Sequence, residues 1–360
     1  MTVIDAAGDR AGHELRGPRG LALDAQGNLY VAGFLSHNVF RVAPDGRVTQ
    51  IADASGDRAG HALQSPRALV VDAAGRVFVA AEMSHAVFRI DPDGRVEVVA
   101  GGAGRHSADG LRRPTHLALG PGGEVFVSGQ TSNQVLRIDP DGGVREVLSI
   151  RGDGTHGLRR PNGIAADPRG TLYVAGAKSR NVFRVRPSGE VAQLVDRSGA
   201  GTPAGLDFPD DVALDAGGNV YVSGNNSNNV LRIAPDGSVR EIVGGTDPED
   251  GFSLGAPTRV APGPGGALYV ARMGERALFR LEPQGALRRV FDETGPDGRR
   301  RLQMARGLLV APNGDVYVAG LGSHNVLRLP AASLRPPAPG TAPSGSVPVP
   351  PVRPPGSARP

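Results

Sequence analysis

Eight residues of this chain combine type and spacing in a way that could build a polar site. Arg19, Arg67, His116, Asn162, Asp210, Asp211, Arg259 and Arg306 each stand one or two positions after a recurring anchor. Guanidinium groups present forked donors that match carboxylate or phosphate oxygens. Paired carboxylates such as Asp210 and Asp211 favour the opposite partner, a cationic or hydroxyl-rich group. A second set, His37, His85 and His324, recurs in short S-H-x segments that could contact a partner.

These residues are positioned by a repeat. The stretch from Pro18 to Ala52 returns with edits, anchored at Pro18, Pro66, Pro114, Pro161, Pro209 and Pro257 and spaced by 47 or 48 residues. A seventh copy begins near Met304, where proline is lost and ARGLLVAPNGDVYVAGLGSHNVLRL follows. A fixed period of this size marks a repeat architecture. Each copy reads as four short strands. In the first these are Gly20–Asp24, Leu29–Ala32, Asn38–Val42 and Val48–Ala52, divided by Gly-bearing turns. The second strands are apolar on both faces, as suits a sheet covered on each side.

Four antiparallel strands per copy describe a propeller blade. The expected fold is all-β, a seven-bladed β-propeller over residues 1–329. A solenoid would need capping repeats, and none is evident. The seventh copy stops near Leu329 without a fourth strand. The opening TVIDAAGDRAGH matches QIADASGDRAGH at residues 50–61, so Thr2–Ala6 should complete the last blade and remove an open edge.

In such a ring the turns sort by face. One face carries monotonous turns of the DAQGN and PDG kinds, explained by turn geometry alone. The other carries the long blade-to-blade loops, the varied hairpins and all eight histidines: His13, His37, His61, His85, His106, His116, His156 and His324. Variation on one face of a repeated scaffold points to binding there. The hairpin histidines His37, His85 and His324 are expected to serve a partner and to be dispensable for stability. Arg41, Arg89, Arg137, Arg184, Arg232, Arg280 and Arg328 hold one third-strand position throughout and read as ties from strand to turn or blade to blade.

Around the axis, ring order sets blades six, seven, one and two side by side. Their inner strands supply Arg259, Arg306, Arg19 and Arg67, a cationic arc. His116, Asn162, Asp210 and Asp211 form the opposite arc. With the seventh anchor at Met304, Arg306 falls one step out of register with Arg19. The expected ligand spans the axis, its anionic group on the arginines.

Composition narrows the classes. Three of the four net positive charges sit on Arg335, Arg353 and Arg359, so the repeats are almost neutral, which argues against nucleic-acid binding. Cysteine is absent, excluding disulfides and thiolate metal sites. No segment approaches membrane-spanning length. The start, MTVIDAAGDR, has neither a basic head nor an apolar core, so a cytoplasmic monomer is expected; a trimmed secreted form would look the same. Eleven of the 31 residues from 330 to 360 are proline, too polar and stiff a stretch to bury a core, so a disordered tail is expected.

The repeat pattern P-x-G-L-A-x-D-x-x-G-x-L-Y-V-A, followed by S-x-N-V-x-R-x-x-P-D-G, resembles NHL repeats and the related senescence-marker-protein/gluconolactonase propellers. NHL propellers are often binding modules, which implies a protein or small polar ligand on the loop-rich face. PNGIAADPRGTLYVA at 161–175 and FPDDVALDAGGNVYVS at 208–223 are similar to two lactonase segments. That resemblance implies Asn162 and Asp210 as ligands of Ca²⁺ or Mg²⁺, with Asp210 catalytic, in a metal-dependent lactonase or esterase. The chain departs from that family where an early glutamate ligand belongs, since Arg19 and Arg67 follow the anchors, and in having seven blades rather than six. A second alternative, similarity to the seven-bladed streptogramin lyases, implies a histidine and glutamate site drawn from His116, His156 and Glu82. The tryptophan-bearing strands of those enzymes have no counterpart here.

Overall fold

The computed structural model describes residues 1–102, 110–244, 254–272, 277–291 and 302–334. Its described residues form seven four-stranded antiparallel sheets. The first blade is built from Pro18–Leu23, Leu29–Gly33, Asn38–Val42 and Val48–Ala52. The corresponding innermost strands of blades two to seven are Pro66–Val71, Pro114–Leu119, Pro161–Ala166, Pro209–Leu214, Pro257–Pro262 and Ala305–Val310. Each innermost strand adjoins the next, and the seventh adjoins the first, so the ring closes.

Packing follows from the two-sided apolar second strands. Leu29–Gly33, Val77–Ala81 and Val125–Gly129 are buried at every position. Each apolar cluster spans two neighbouring blades, as where Ala22, Tyr30 and Ala32 of blade one meet Leu69, Val79 and Phe88 of blade two. The core is thus a series of inter-blade layers, which explains how a chain without tryptophan fills it with Val, Leu, Ala and a few Phe. Where innermost strands crowd the axis, only glycine fits. A Cβ at Gly307 would lie 2.0 Å from the Arg19 carbonyl oxygen, and one at Gly163 would lie 2.6 Å from the Asp211 Cα.

The terminal strand closes blade seven as expected. Thr2–Ile4 pairs with Asn325–Leu329, setting Thr2 opposite Leu327 and Ile4 opposite Val326. Ile4 is buried among Leu15, Leu29, Phe40 and Val326, so it also seals blade seven against blade one.

Two boundaries are corrected. Ala305, not Met304, occupies the seventh anchor: it faces Gly320 as Pro18 faces Gly33. Arg306 is therefore in register with Arg19, and Arg259 is the arginine set one step on. The packed chain also runs past Leu329. Residues Ala331–Leu334 form a short turn of helix whose Leu334 is buried and whose carbonyl accepts hydrogen bonds from Arg280 and Arg288. The tail expected from 330 onward is thus ordered through Leu334, and its residues 335–360 lie outside the described part.

Candidate functional site

The two faces differ as the strand directions require. On the varied face the second-to-third hairpin lies along the incoming loop: Phe34 N–H donates to the Gly17 carbonyl at 3.1 Å and Leu35 N–H to the Arg16 carbonyl at 3.0 Å. The hairpin serine accepts from the same loop, with Ser36, Ser84 and Ser132 Oγ taking the N–H groups of Arg16, Gln64 and Arg112.

This corrects the expectation for His37, His85 and His324. Each has a positive φ and turns its Nδ1 to the neighbouring blade, accepting an N–H at 3.0 Å from Ser65, Arg113 and Gly17 respectively. Asn133 and Asn228 do the same with Oδ1, toward Arg160 and Ala256. In these five blades the position is a blade-to-blade latch, an acceptor for the next blade's N–H carried on a left-handed backbone, so it bears on stability. His13, His61 and His156 are held in their own loops by Asp9, Asp57 and Asp153 at 2.7, 2.5 and 3.0 Å. His106 lies outside the described residues. The third-strand arginines are ties as expected: Arg41 and Arg232 bond Asn28 and Asn219, Arg89 bonds Asp91, and Arg328 bonds Asp315.

Only His116 among the described histidines reaches the axis, where the other anchor residues gather. Arg67 Nη1 donates to Glu82 Oε2 at 2.7 Å, Arg113 bonds the other Glu82 oxygen, and Arg19 Nη1 stands 4.0 Å from the carboxylate. Arg19 lies over the Phe34 ring, 3.9 Å from its centroid. One buried carboxylate therefore faces three guanidiniums. Burial works against Glu82, yet Arg67 and Arg113 hold it below the usual range. Burial, then repulsion from Arg67, Arg306 and Arg259, lowers Arg19 to about 9 against the pull of Glu82. A guanidinium keeps its proton in proteins, so Arg19 stays charged in an unfavourable setting.

The arcs are not separate as expected. Being one step on, Arg259 reaches across the ring: its Nη1 donates to His116 Nε2 of blade three, and its Nε to the Arg306 carbonyl at 3.1 Å. The same guanidinium lies 3.5 Å from Asp211 Oδ1, while Asp211 Oδ2 accepts Val260 N–H at 3.0 Å. Burial foremost, with Asp210 adding, pushes Asp211 up to about 6 against Arg259 and the Val260 and Val212 N–H groups. Burial and the nearby arginines drive His116 well below its usual value, so it is neutral. With Nε2 accepting, its proton resides on Nδ1. That Nδ1, Arg19 Nε and Arg67 Nε are buried and have no hydrogen-bond partner among the described residues.

Asn162 and Asp210 do meet, but in a chain of amides: Gln130 Nε2 donates to Asn162 Oδ1 at 2.7 Å and Asn162 Nδ2 to Asp210 Oδ1 at 2.7 Å. Arg306 lies in the field of Asp210. The asparagine oxygen is already used, its nitrogen faces the carboxylate, and no trio of His, Asp or Glu converges among the described residues. This donor set does not fit a Ca²⁺ or Mg²⁺ ion. Nor does the lyase trio assemble: Glu82 is sequestered by arginines, and the exposed His156 belongs to its loop. Gln130, Arg113 and Phe34 were not anticipated; for Phe34 and Gln130 the residue just after the second strand was the available signal, since Glu82 occupies it too.

No family profile and no curated sequence matches the chain. Solved structures do. Virginiamycin B lyase from Staphylococcus aureus is 16% identical with a TM-score of 0.69, over 90% of this chain and 96% of that one. Hydrazine synthase from Kuenenia stuttgartiensis is 19% identical with a TM-score of 0.67, over 89% and 97%. A gluconolactonase from Xanthomonas campestris is 20% identical with a TM-score of 0.50, over 75% and 85%. Likeness at these identities speaks to fold alone, and with the blades described above it makes the chain a seven-bladed β-propeller.

Proposed function

We propose that this propeller is a non-catalytic binding module whose central mouth takes a small anionic ligand. The observation that carries the reading is the set of buried, unanswered donors on the axis, Arg19 Nε, Arg67 Nε and His116 Nδ1. A buried donor without a partner costs roughly 1–3 kcal/mol, more when charged. Five guanidiniums (Arg19, Arg67, Arg113, Arg259 and Arg306) share the site with three carboxylates (Glu82, Asp210 and Asp211), one of them raised to about 6. A carboxylate or phosphate group answers both the donors and the charge. Asp210, reached through Gln130 and Asn162, can accept from a hydroxyl on the same ligand.

Isothermal titration with phosphate and with a dicarboxylate tests this. Arg19→Gln removes the guanidinium farthest from Glu82 and leaves that carboxylate its hydrogen bonds from Arg67 and Arg113, and at least a tenfold loss of affinity is expected, the size of one charge-assisted bond of about 1.5 kcal/mol. Unchanged binding in the variant refutes the reading.

A further inference from the structure

The arginine arc has an apolar rim. Among the described residues five large apolar side chains are well exposed: Met1, Leu35, Met83, Ile150 and Met304. Met1 is the chain start and Ile150 lies in the loop between blades three and four. The other three follow one another around the ring, on blades one and two and at the entry to blade seven. Leu35 succeeds Phe34, the ring beneath Arg19. Met83 succeeds Glu82, the partner of Arg67. Met304 stands two residues before Arg306.

The placement is not a by-product of the repeat. Leu35 and Met83 occupy one hairpin position, which in other blades holds Thr131, Lys178, Asn226 or Gly322. Backbone bonds hold both tips at the rim, from Leu35 N–H to the Arg16 carbonyl at 3.0 Å and from Met83 N–H to the Gln64 carbonyl at 3.3 Å. Single exposed apolar residues are ordinary, but three on consecutive blades, beside the buried charges of the axis, offer apolar contact to a ligand seated there.

We infer that the ligand of the mouth is a small amphiphilic anion, with its carboxylate or phosphate head on the axis and an apolar chain lying outward over Leu35 and Met83. This rests on the mouth reading and adds the chemical class. The charge at the axis selects the head, and the adjoining rim selects a chain over a second polar group.

The test is titration of the intact chain with acetate, butanoate, hexanoate and octanoate, and with phosphate against hexyl phosphate. Affinity should rise by roughly twofold to fourfold per methylene, the upper figure being full burial at about 0.8 kcal/mol. A slope in either series supports the proposal and identifies the head. Leu35→Ser with Met83→Ser should flatten that slope and leave phosphate binding intact; both side chains are half exposed, so the fold survives the change. Phosphate or acetate binding with no dependence on chain length overturns the amphiphile and leaves the mouth reading standing. Absence of binding by every anion overturns the mouth reading itself.

Discussion

Removing residues 1–7 takes away the strand that closes the ring, and the structure gives its worth. Ile4 is 3% exposed and packed on both blade seven and blade one. Truncating such a side chain to alanine costs about 3 kcal/mol once the cavity is included. The strand adds its backbone bonds, among them Arg328 N–H to the Met1 carbonyl at 2.8 Å. At about 1 kcal/mol each, a few such bonds bring the deletion to about 6 kcal/mol. Unfolding entropy near 2.1 cal/mol/K per residue, over roughly 330 residues, makes about 0.7 kcal/mol per degree. Ile4→Ala should therefore melt about 4 °C below the parent and the deletion about 9 °C below it. The bared edge at Val326–Leu327 should also promote association, visible by size-exclusion chromatography. Circular dichroism melts of the three proteins decide the matter. A deletion protein that melts with the parent and stays monodisperse refutes closure by this strand.

Other outcomes follow from the same geometry. His37→Ala leaves Ser65 N–H without its acceptor and should lose about 1 kcal/mol, whereas His37→Asn, the residue type used at Asn133 and Asn228, should restore the melting point. Ending the chain at Leu334 should leave melting unchanged, while ending it at Leu329 should lower it, because Leu334 is buried and bonded by Arg288 at 2.9 Å. Asp211 carries a folded pKa of about 6 against 3.8, so the native state holds its proton more tightly and the stability it contributes falls as pH rises through that window. His116, held low, gives the opposite slope below its ordinary 6.5, since unfolding then takes up a proton. Asp211→Asn removes only the first slope, so its stability at pH 8 relative to pH 5 should exceed the parent's, by on the order of 1 kcal/mol, in paired urea titrations.

Much of the fold was legible because the signal was repeated seven times and closure left a duplicate in the first residues. The seventh register was not legible from the anchor, because Ala305 stands there in place of proline. A leucine three residues before each anchor, Leu15, Leu63, Leu111, Leu158, Leu206, Leu254 and Leu302, is buried in every blade and would have set it correctly. The candidate site was legible as a list of residues on one ring but not as a set of contacts. Arg259 finds His116 from 143 residues away because a one-step offset turns its side chain inward, and spacing within one repeat cannot show a partner three blades distant. The hairpin histidines misled because variation was read as freedom. His, Asn and Arg alternate there while a single requirement, a polar group reaching the next blade, is kept, as when Arg180 pairs with Asp207 at 2.8 Å.

Crystals grown with selenate and read by anomalous scattering show whether the unanswered donors on the propeller axis take an anion. A selenium peak is expected on the axis, its oxygens within hydrogen-bond distance of Arg19 Nε, Arg67 Nε and His116 Nδ1. An axis without that peak, in crystals that show selenate elsewhere on the protein, would contradict anion binding there.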